Sequence, residues 1–231
     1  MKQLMTVLAV FSVVVLFVTG NASAARIFSV GVSGWYADWT HDINIGTQTF
    51  DPQICPGISL GGTYNSAWLT LLYHLPKKYS SEFQGVDQEA ERYDIDIIGG
   101  YTIWKDVSII AGIKLWEMDT DAQVSAGDYS EKMTALGIGI GWSHEFDATP
   151  VILQFSGLFA PSASWKMDLF DSDQSGNDPW YEYGAGVGYH FQRLNLMPFL
   201  EYRYQILDRG KVPYNDIYQG VRLRISYYWE L

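Results

Sequence analysis

Apolar and polar residues alternate along much of this chain, and most plainly at its end. In YQGVRLRISYYWEL, the last fourteen residues, Val221, Leu223, Ile225, Tyr227, Trp229 and Leu231 alternate with Arg222, Arg224, Ser226, Tyr228 and Glu230. Side chains of a strand point to opposite faces with period two, so one face is apolar and the other charged. That is the pattern of a membrane β-barrel strand with lipid outside and a polar lumen inside. Working backward, strands are predicted near 217–231, 195–207, 178–192, 150–160, 131–146, 107–118, 90–104, 67–75, 57–64 and 27–39. Tyr93, Ile95, Ile97, Tyr101 and Ile103 oppose Arg92, Asp94, Asp96 and Thr102, while Leu136, Ile138, Ile140 and Trp142 oppose a run of glycines.

The connections alternate in length. Tight turns are expected at Lys105 and Asp106, at Asp147 to Pro150 and at Gln192 to Asn195, with longer polar connections at 40–56, 76–89, 119–130, 161–177 and 208–216. Short turns belong to the periplasmic side of such barrels and long loops to the extracellular side. With both chain ends on one side the strand count is even. Asn65 and Ser66 are suitable turn residues and split their segment into a hairpin, giving ten strands; without that turn the count is eight.

The fold class expected is therefore all-β: a closed antiparallel up-and-down transmembrane barrel spanning 25–231, with a cleaved signal peptide before it. Lys2, the apolar run from Leu4 to Val18 and the small residues Ala22 to Ala25 form the signal pattern of segment 1–24, with the mature chain starting near Ala25 or Arg26. The run is shorter than the ~20 residues of a spanning helix. The remaining length of about 207 residues suits one domain. Aromatic residues make up 16% of the chain and glycines number 22. The series GIGIG and GAGVG fall on strands rather than opening helices, so they make room for large neighbours or let the sheet curve instead of cradling phosphate.

The formal charge is −11, and removal of Lys2 with the leader takes it to −12, which argues against nucleic acid as a partner. The single cysteine, Cys55, excludes an intramolecular disulfide and falls in a predicted loop, where an incidental thiol is expected.

The last strand resembles the C-terminal assembly signal of Gram-negative outer-membrane barrels, with Val221, Leu223, Ile225, Tyr227, Trp229 and Leu231 as its apolar positions and Leu231 where phenylalanine is usual. The mature chain as a whole resembles the outer-membrane β-barrel superfamily, in the company of the small OmpA-like, OmpW-like and opacity-type proteins. The resemblance implies residence in the outer membrane of a Gram-negative bacterium, contact with its lipid and lipopolysaccharide, insertion by the barrel-assembly machinery and a monomeric state. It names no activity.

Alternation assigns Arg92, Asp94, Asp96, Lys114, Glu145, Glu182, Glu201, Arg203, Arg222 and Arg224 to the lumen, where near-balanced charges form ion pairs. Barrels of about this size fill their interiors with side chains, so a closed lumen with an envelope-structural or surface-interaction role is expected, and a narrow pore for ions or small solutes is the alternative. No cofactor is expected. The stretch DSDQSGNDPWYE has spacings close to a calcium-binding loop without the flanking helices, leaving Asp171, Asp173 and Asp178 as a partial divalent-cation site. Acidic connections containing Glu82, Asp87 and Glu89, and Asp119, Asp121 and Asp128, would bring divalent ions shared with lipopolysaccharide. The histidines suggest no enzyme. His41 and His74 are placed toward the extracellular end and His144 and His190 toward the periplasm, and Ser143 and His144 are neighbours on opposite faces, so no nucleophile–base set assembles.

Overall fold

The structure, a computed structural model, describes residues 26–43, 46–83, 85–122, 129–169, 172–209 and 215–230. The predicted leader 1–24, Asp171 and Leu231 lie outside them. Ten strands run in chain order: β1 (Arg26–Ile43), β2 (Gly46–Tyr64), β3 (Ala67–Phe83), β4 (Val86–Trp104), β5 (Val107–Ala122), β6 (Tyr129–Glu145), β7 (Val151–Leu169), β8 (Ser172–Tyr189), β9 (Leu196–Asp208) and β10 (Asn215–Glu230). Each pairs antiparallel with its sequence neighbours, and β1 pairs with β10, so the barrel is closed. At the closing seam Phe28 opposes Trp229 and Trp35 opposes Arg222, and the Phe28 and Trp229 rings meet edge to face at 4.6 Å.

Strand number settles at ten because Asn65 and Ser66 do form a hairpin turn, with Asn65 in the left-handed region (φ 53°) that asparagine tolerates. Lys105 and Asn195 turn in the same way at the same barrel end. Both described chain ends, Arg26 and Glu230, lie at this end too, as even strand number requires.

The long loops expected at 40–56, 76–89 and 161–177 are largely strand instead, and so are residues 119–122, 129–130, 208 and 215–216 of the connections expected at 119–130 and 208–216. Strands of 16–19 residues are common here, whereas about 9–11 cross a bilayer. The wall therefore continues as a tube beyond the membrane. Its outer face records the change. On β6, Leu136, Ile138 and Ile140 are 65–67% exposed, a surface for lipid rather than water. Farther along β6 and its neighbours the outward positions hold Lys132 and Glu117 (2.7 Å apart), and Lys166 with Asp168 (2.6 Å) and Asp173 (3.0 Å). Register shifts on this wall fall at Asp51 and Pro52 opposite Asp38, at Leu75 and Pro76 opposite Tyr93, and at Pro161 and Ser162 opposite Pro179. Proline cannot donate to a ladder, and Pro52, Pro76 and Pro161 sit at these bulges.

Inside, Trp35, Ala37, Trp39, Phe50, Tyr79, Trp116, Met118, Met133, Trp180 and Tyr218 belong to one packed core within the tube. Inward glycines make room for rings, as expected: a methyl on Gly188 would lie 2.5 Å from the Phe199 ring and one on Gly100 would lie 2.6 Å from that of Trp68. Cys55 is not in a loop. It is an inward, buried position of β2, with Sγ against the hydroxyls of Tyr79 and Tyr218, the latter at 3.3 Å. Maleimide is therefore expected to leave the folded barrel unlabelled and to react fully after denaturation, as read by mass spectrometry; rapid labelling of the folded protein would contradict this burial.

Candidate functional site

The chemistry of this chain lies in the lumen, stacked in three layers. The lowest, within the apolar belt, is built by period-two spacing on adjacent strands. Asp94 and Asp96 on β4 face Lys114 on β5, whose Nζ lies 2.8 Å from a carboxylate oxygen of each. Arg92 reaches Asp94 at 3.1 Å. From the opposite wall Arg203 on β9 donates to Asp96 at 2.9 Å and to Glu182 on β8, which also accepts from Gln205 at 2.7 Å. Arg222 on β10 donates to Glu201 at 2.6 Å. Of the ten charges assigned to the lumen from sequence, Glu145 stands half exposed at the turn end beside His190; the other nine point inward, and all of these but Arg224 join in ion pairs. Arg224 lies over the Phe199 ring at 5.4 Å.

A middle layer is aromatic. Trp39 stacks on Phe50 at 4.0 Å, and the Arg92 guanidinium sits 4.0 Å from the Tyr218 ring centre, 4.7 Å from Trp116 and 5.3 Å from Trp39. Such desolvated cation–π contacts hold a charge in an otherwise apolar plug.

The third layer lies above the belt, where the outer face carries Ser130, Lys132 and Thr134. His41 on β1 bonds through Nδ1 to Asp216 on β10, and Arg209, just past β9, binds both Asp216 and Glu131 of β6. Arg209 also covers the Trp165 ring at 4.6 Å. His41, Glu131, Arg209 and Asp216 are all buried. Burial works against the imidazolium, but the Asp216 carboxylate overrides it and holds His41 above its ordinary pKa. Burial and then the Asp216 charge push Glu131 up to about 7, against Arg209 and His41. Asp216 goes the other way: burial opposes its charge, but His41 and Arg209 win and keep it below the usual carboxylate range. Sequence reading missed this cluster because His41, Arg209 and Asp216 fell in predicted loops and Glu131 stood at the first position of a predicted strand. Parity was the available signal: His41 continues the inward series Trp35, Ala37, Trp39, and Asp216 the series Tyr218, Arg222.

One imidazole, two carboxylates and a guanidinium are the elements of proton transfer or metal ligation. One ligand atom each from His41, Glu131 and Asp216 lies within 4.8 Å of the others. Arg209 already bonds both carboxylates, and His41 has no exposed surface from which to meet a substrate. His74 is lower than expected, in mid-lumen opposite Gly57 and Asp94. His144 and His190 lie at the turn end, on Asp106 at 2.8 Å and Glu145 at 3.2 Å.

The cation site suggested on Asp171, Asp173 and Asp178 is not brought together among the described residues. Asp173 and Asp178 are five positions apart on β8, so they point to opposite faces. Asp173 pairs outside with Lys166, whereas Asp178 accepts the Trp165 indole N–H at 2.6 Å. The acidic positions Glu82, Asp87 and Glu89 stand on the ends of β3 and β4 rather than on a loop, and Glu89 pairs with Lys78 at 3.1 Å.

No described family and no curated protein matches this sequence. Among solved structures it is similar to the outer-membrane protease OmpT of Escherichia coli, at 9% identity and TM-score 0.59 over 92% of this chain and 100% of that one. Neisserial surface protein A is similar at 13% identity and TM-score 0.47 (87% and 96% covered), and the Yersinia pestis attachment invasion locus protein Ail at 13% and 0.40 (90% and 100% covered). The chain thus has the fold of the Gram-negative outer-membrane β-barrels. At these identities the likeness is one of architecture, and it assigns no activity.

Proposed function

We propose that this chain is an outer-membrane β-barrel closed by its own side chains, whose tube beyond the membrane presents an acid-rich surface in an envelope-structural or surface-interaction role. The observation that carries this reading is the continuous filling of the lumen: an ion-paired layer, an aromatic layer and a buried polar cluster succeed one another along the barrel axis. An eight- to ten-stranded wall encloses little more than its inward side chains, and open channels need about sixteen strands. Lipid and lipopolysaccharide are the surroundings this role requires. The outward apolar series Val221, Leu223, Ile225 and Tyr227 on β10, continued by Trp229, supports delivery through the barrel-assembly machinery, and the protein is taken as a monomer.

Planar-bilayer recording of the refolded protein tests the closed lumen. Barrel formation is first confirmed by heat-modifiable migration. A folded barrel without reproducible current steps is expected. Stable steps whose ion selectivity changes in Arg203 or Arg224 variants would replace the closed reading with that of a narrow pore.

A further inference from the structure

Within the belt layer the buried and half-buried charges do not balance; Glu145, on the same lumen face, lies farther out at the turn end, where it meets His190 at 3.2 Å. In the belt layer five cations, Arg92, Lys114, Arg203, Arg222 and Arg224, face four carboxylates, Asp94, Asp96, Glu182 and Glu201. Each carboxylate is engaged by another cation, and Arg224 alone of the five has no carboxylate within ion-pair distance among the described residues. The surplus is therefore located near the turn-side mouth, six residues from Glu230.

Unused donors gather around it. The Nε and Nη1 groups of Arg222, the Ser33 hydroxyl and both nitrogens of His74 are buried without hydrogen-bond partners. Strand register puts these groups side by side: Arg224, Ser33, Gly57 and His74 form one row across β10, β1, β2 and β3, and Arg222 faces the same lumen one inward step farther up β10. Gly57 forms the floor. A methyl there would lie 2.7 Å from the Ser33 oxygen and 2.9 Å from His74 Cδ2, so both side chains close over it. Toward the mouth the wall narrows to small side chains, with Gly31 between Ser59 and Ser226 and Gly61 beside Ser29.

We propose that this row of donors binds one small oxyanion, a phosphate or a carboxylate, drawn from the water on the turn side of the barrel. Planar guanidinium groups present paired N–H donors that match such an anion, a hydroxyl and an imidazole N–H complete the set, and Glu201, the carboxylate whose charge reaches Arg224, is already bonded by Arg222. Arg224 is half-buried without an ion-pair partner among the described residues, and an anion supplies the missing charge. A lipid headgroup does not meet this geometry, because the wall separates the row from the bilayer. Binding without conduction also fits the sealed layers above; the inference requires the lumen but not the closed reading, since conductance and binding are measured separately.

The test is calorimetric titration of the mature, folded protein in detergent with inorganic phosphate and, separately, with acetate, at ionic strength held constant by chloride. Saturable one-to-one binding of at least one anion is expected. Arg224→Gln should weaken it by about tenfold or more, as loss of a charged hydrogen-bond donor does. Arg224→Lys should keep part of the affinity, Ser33→Ala should weaken it less than Arg224→Gln, and Lys132→Gln on the outer surface should not change it. Absence of saturable binding by the wild type, or equal affinity in a correctly folded Arg224→Gln variant, overturns the proposal. If Arg224→Gln does not migrate as a barrel, Ser33→Ala takes its place, and undiminished binding by that variant overturns it equally.

Discussion

Replacing Arg203 with methionine is expected to lower the unfolding free energy of the barrel by about 3–5 kcal/mol, the usual cost of removing one partner from a buried ionic network. Arg203 is 2% exposed and spans the lumen from β9, donating to Asp96 at 2.9 Å and to Glu182, with Glu201 3.7 Å from Nε and the Trp35 ring 5.1 Å from its guanidinium. Methionine keeps much of the packing and none of the charge. Asp96 retains Lys114, but Glu182 keeps only the neutral Gln205 amide. Glu182 is therefore where the loss should concentrate, and Glu182→Gln in the methionine background should recover a measurable part of it. Denaturant titration followed by heat-modifiable migration checks both variants. If Arg203→Met unfolds at the wild-type midpoint, or if the second substitution makes matters worse, the network is not what holds β8, β9 and β4 together.

The contrast between this layer and the upper one shows how far the sequence could be read. In the belt, lipid demands an apolar outward face, so Arg92, Asp94 and Asp96 stand out against Tyr93, Ile95 and Ile97, and strand, register and lumen assignment follow together. Above the belt both faces can be polar. Thr40 and Asp38 outside, His41 and Trp39 inside, read as an irregular polar stretch although the strand continues through them. Pro52, Pro76 and Pro161 added apparent breaks that are bulges in unbroken strands. The same blindness moved Cys55 from the core to a loop and hid Glu131, Arg209 and Asp216. Their contacts join residues as far apart as His41 and Asp216, 175 positions, which only barrel closure brings together. The Asn65 turn, by contrast, was legible because its cause is local.

That hidden layer gives the barrel a pH response of definite sign. Glu131 titrates near 7 in the folded protein, from an ordinary value of 4.5, because burial and Asp216 disfavour its charge. A group whose folded pKa is raised contributes stability that is fully present below the unfolded value and is lost as pH climbs through the folded one. Glu131 should thus withdraw on the order of 3 kcal/mol between about pH 4.5 and 7, at 1.36 kcal/mol per unit. His41, which Asp216 raises above its ordinary value against the cost of burial, acts in the same direction. Asp216 is depressed, so its contribution is present above 3.8 and fades only in stronger acid, outside this window. The far ends of β1, β6, β9 and β10 should therefore loosen as pH rises through neutrality while the belt layer holds. Glu131→Gln, which fixes a neutral isostere, should remove the Glu131 part of the slope and leave the His41 part. Hydrogen exchange of those four strand ends from pH 5 to 8, read beside denaturant midpoints, measures it directly. A wild-type profile that is level across this range, or a Glu131→Gln profile as steep as the wild type, would mean that the Arg209 pair keeps Glu131 ionised throughout and that the cluster is a fixed plug without a proton-linked response.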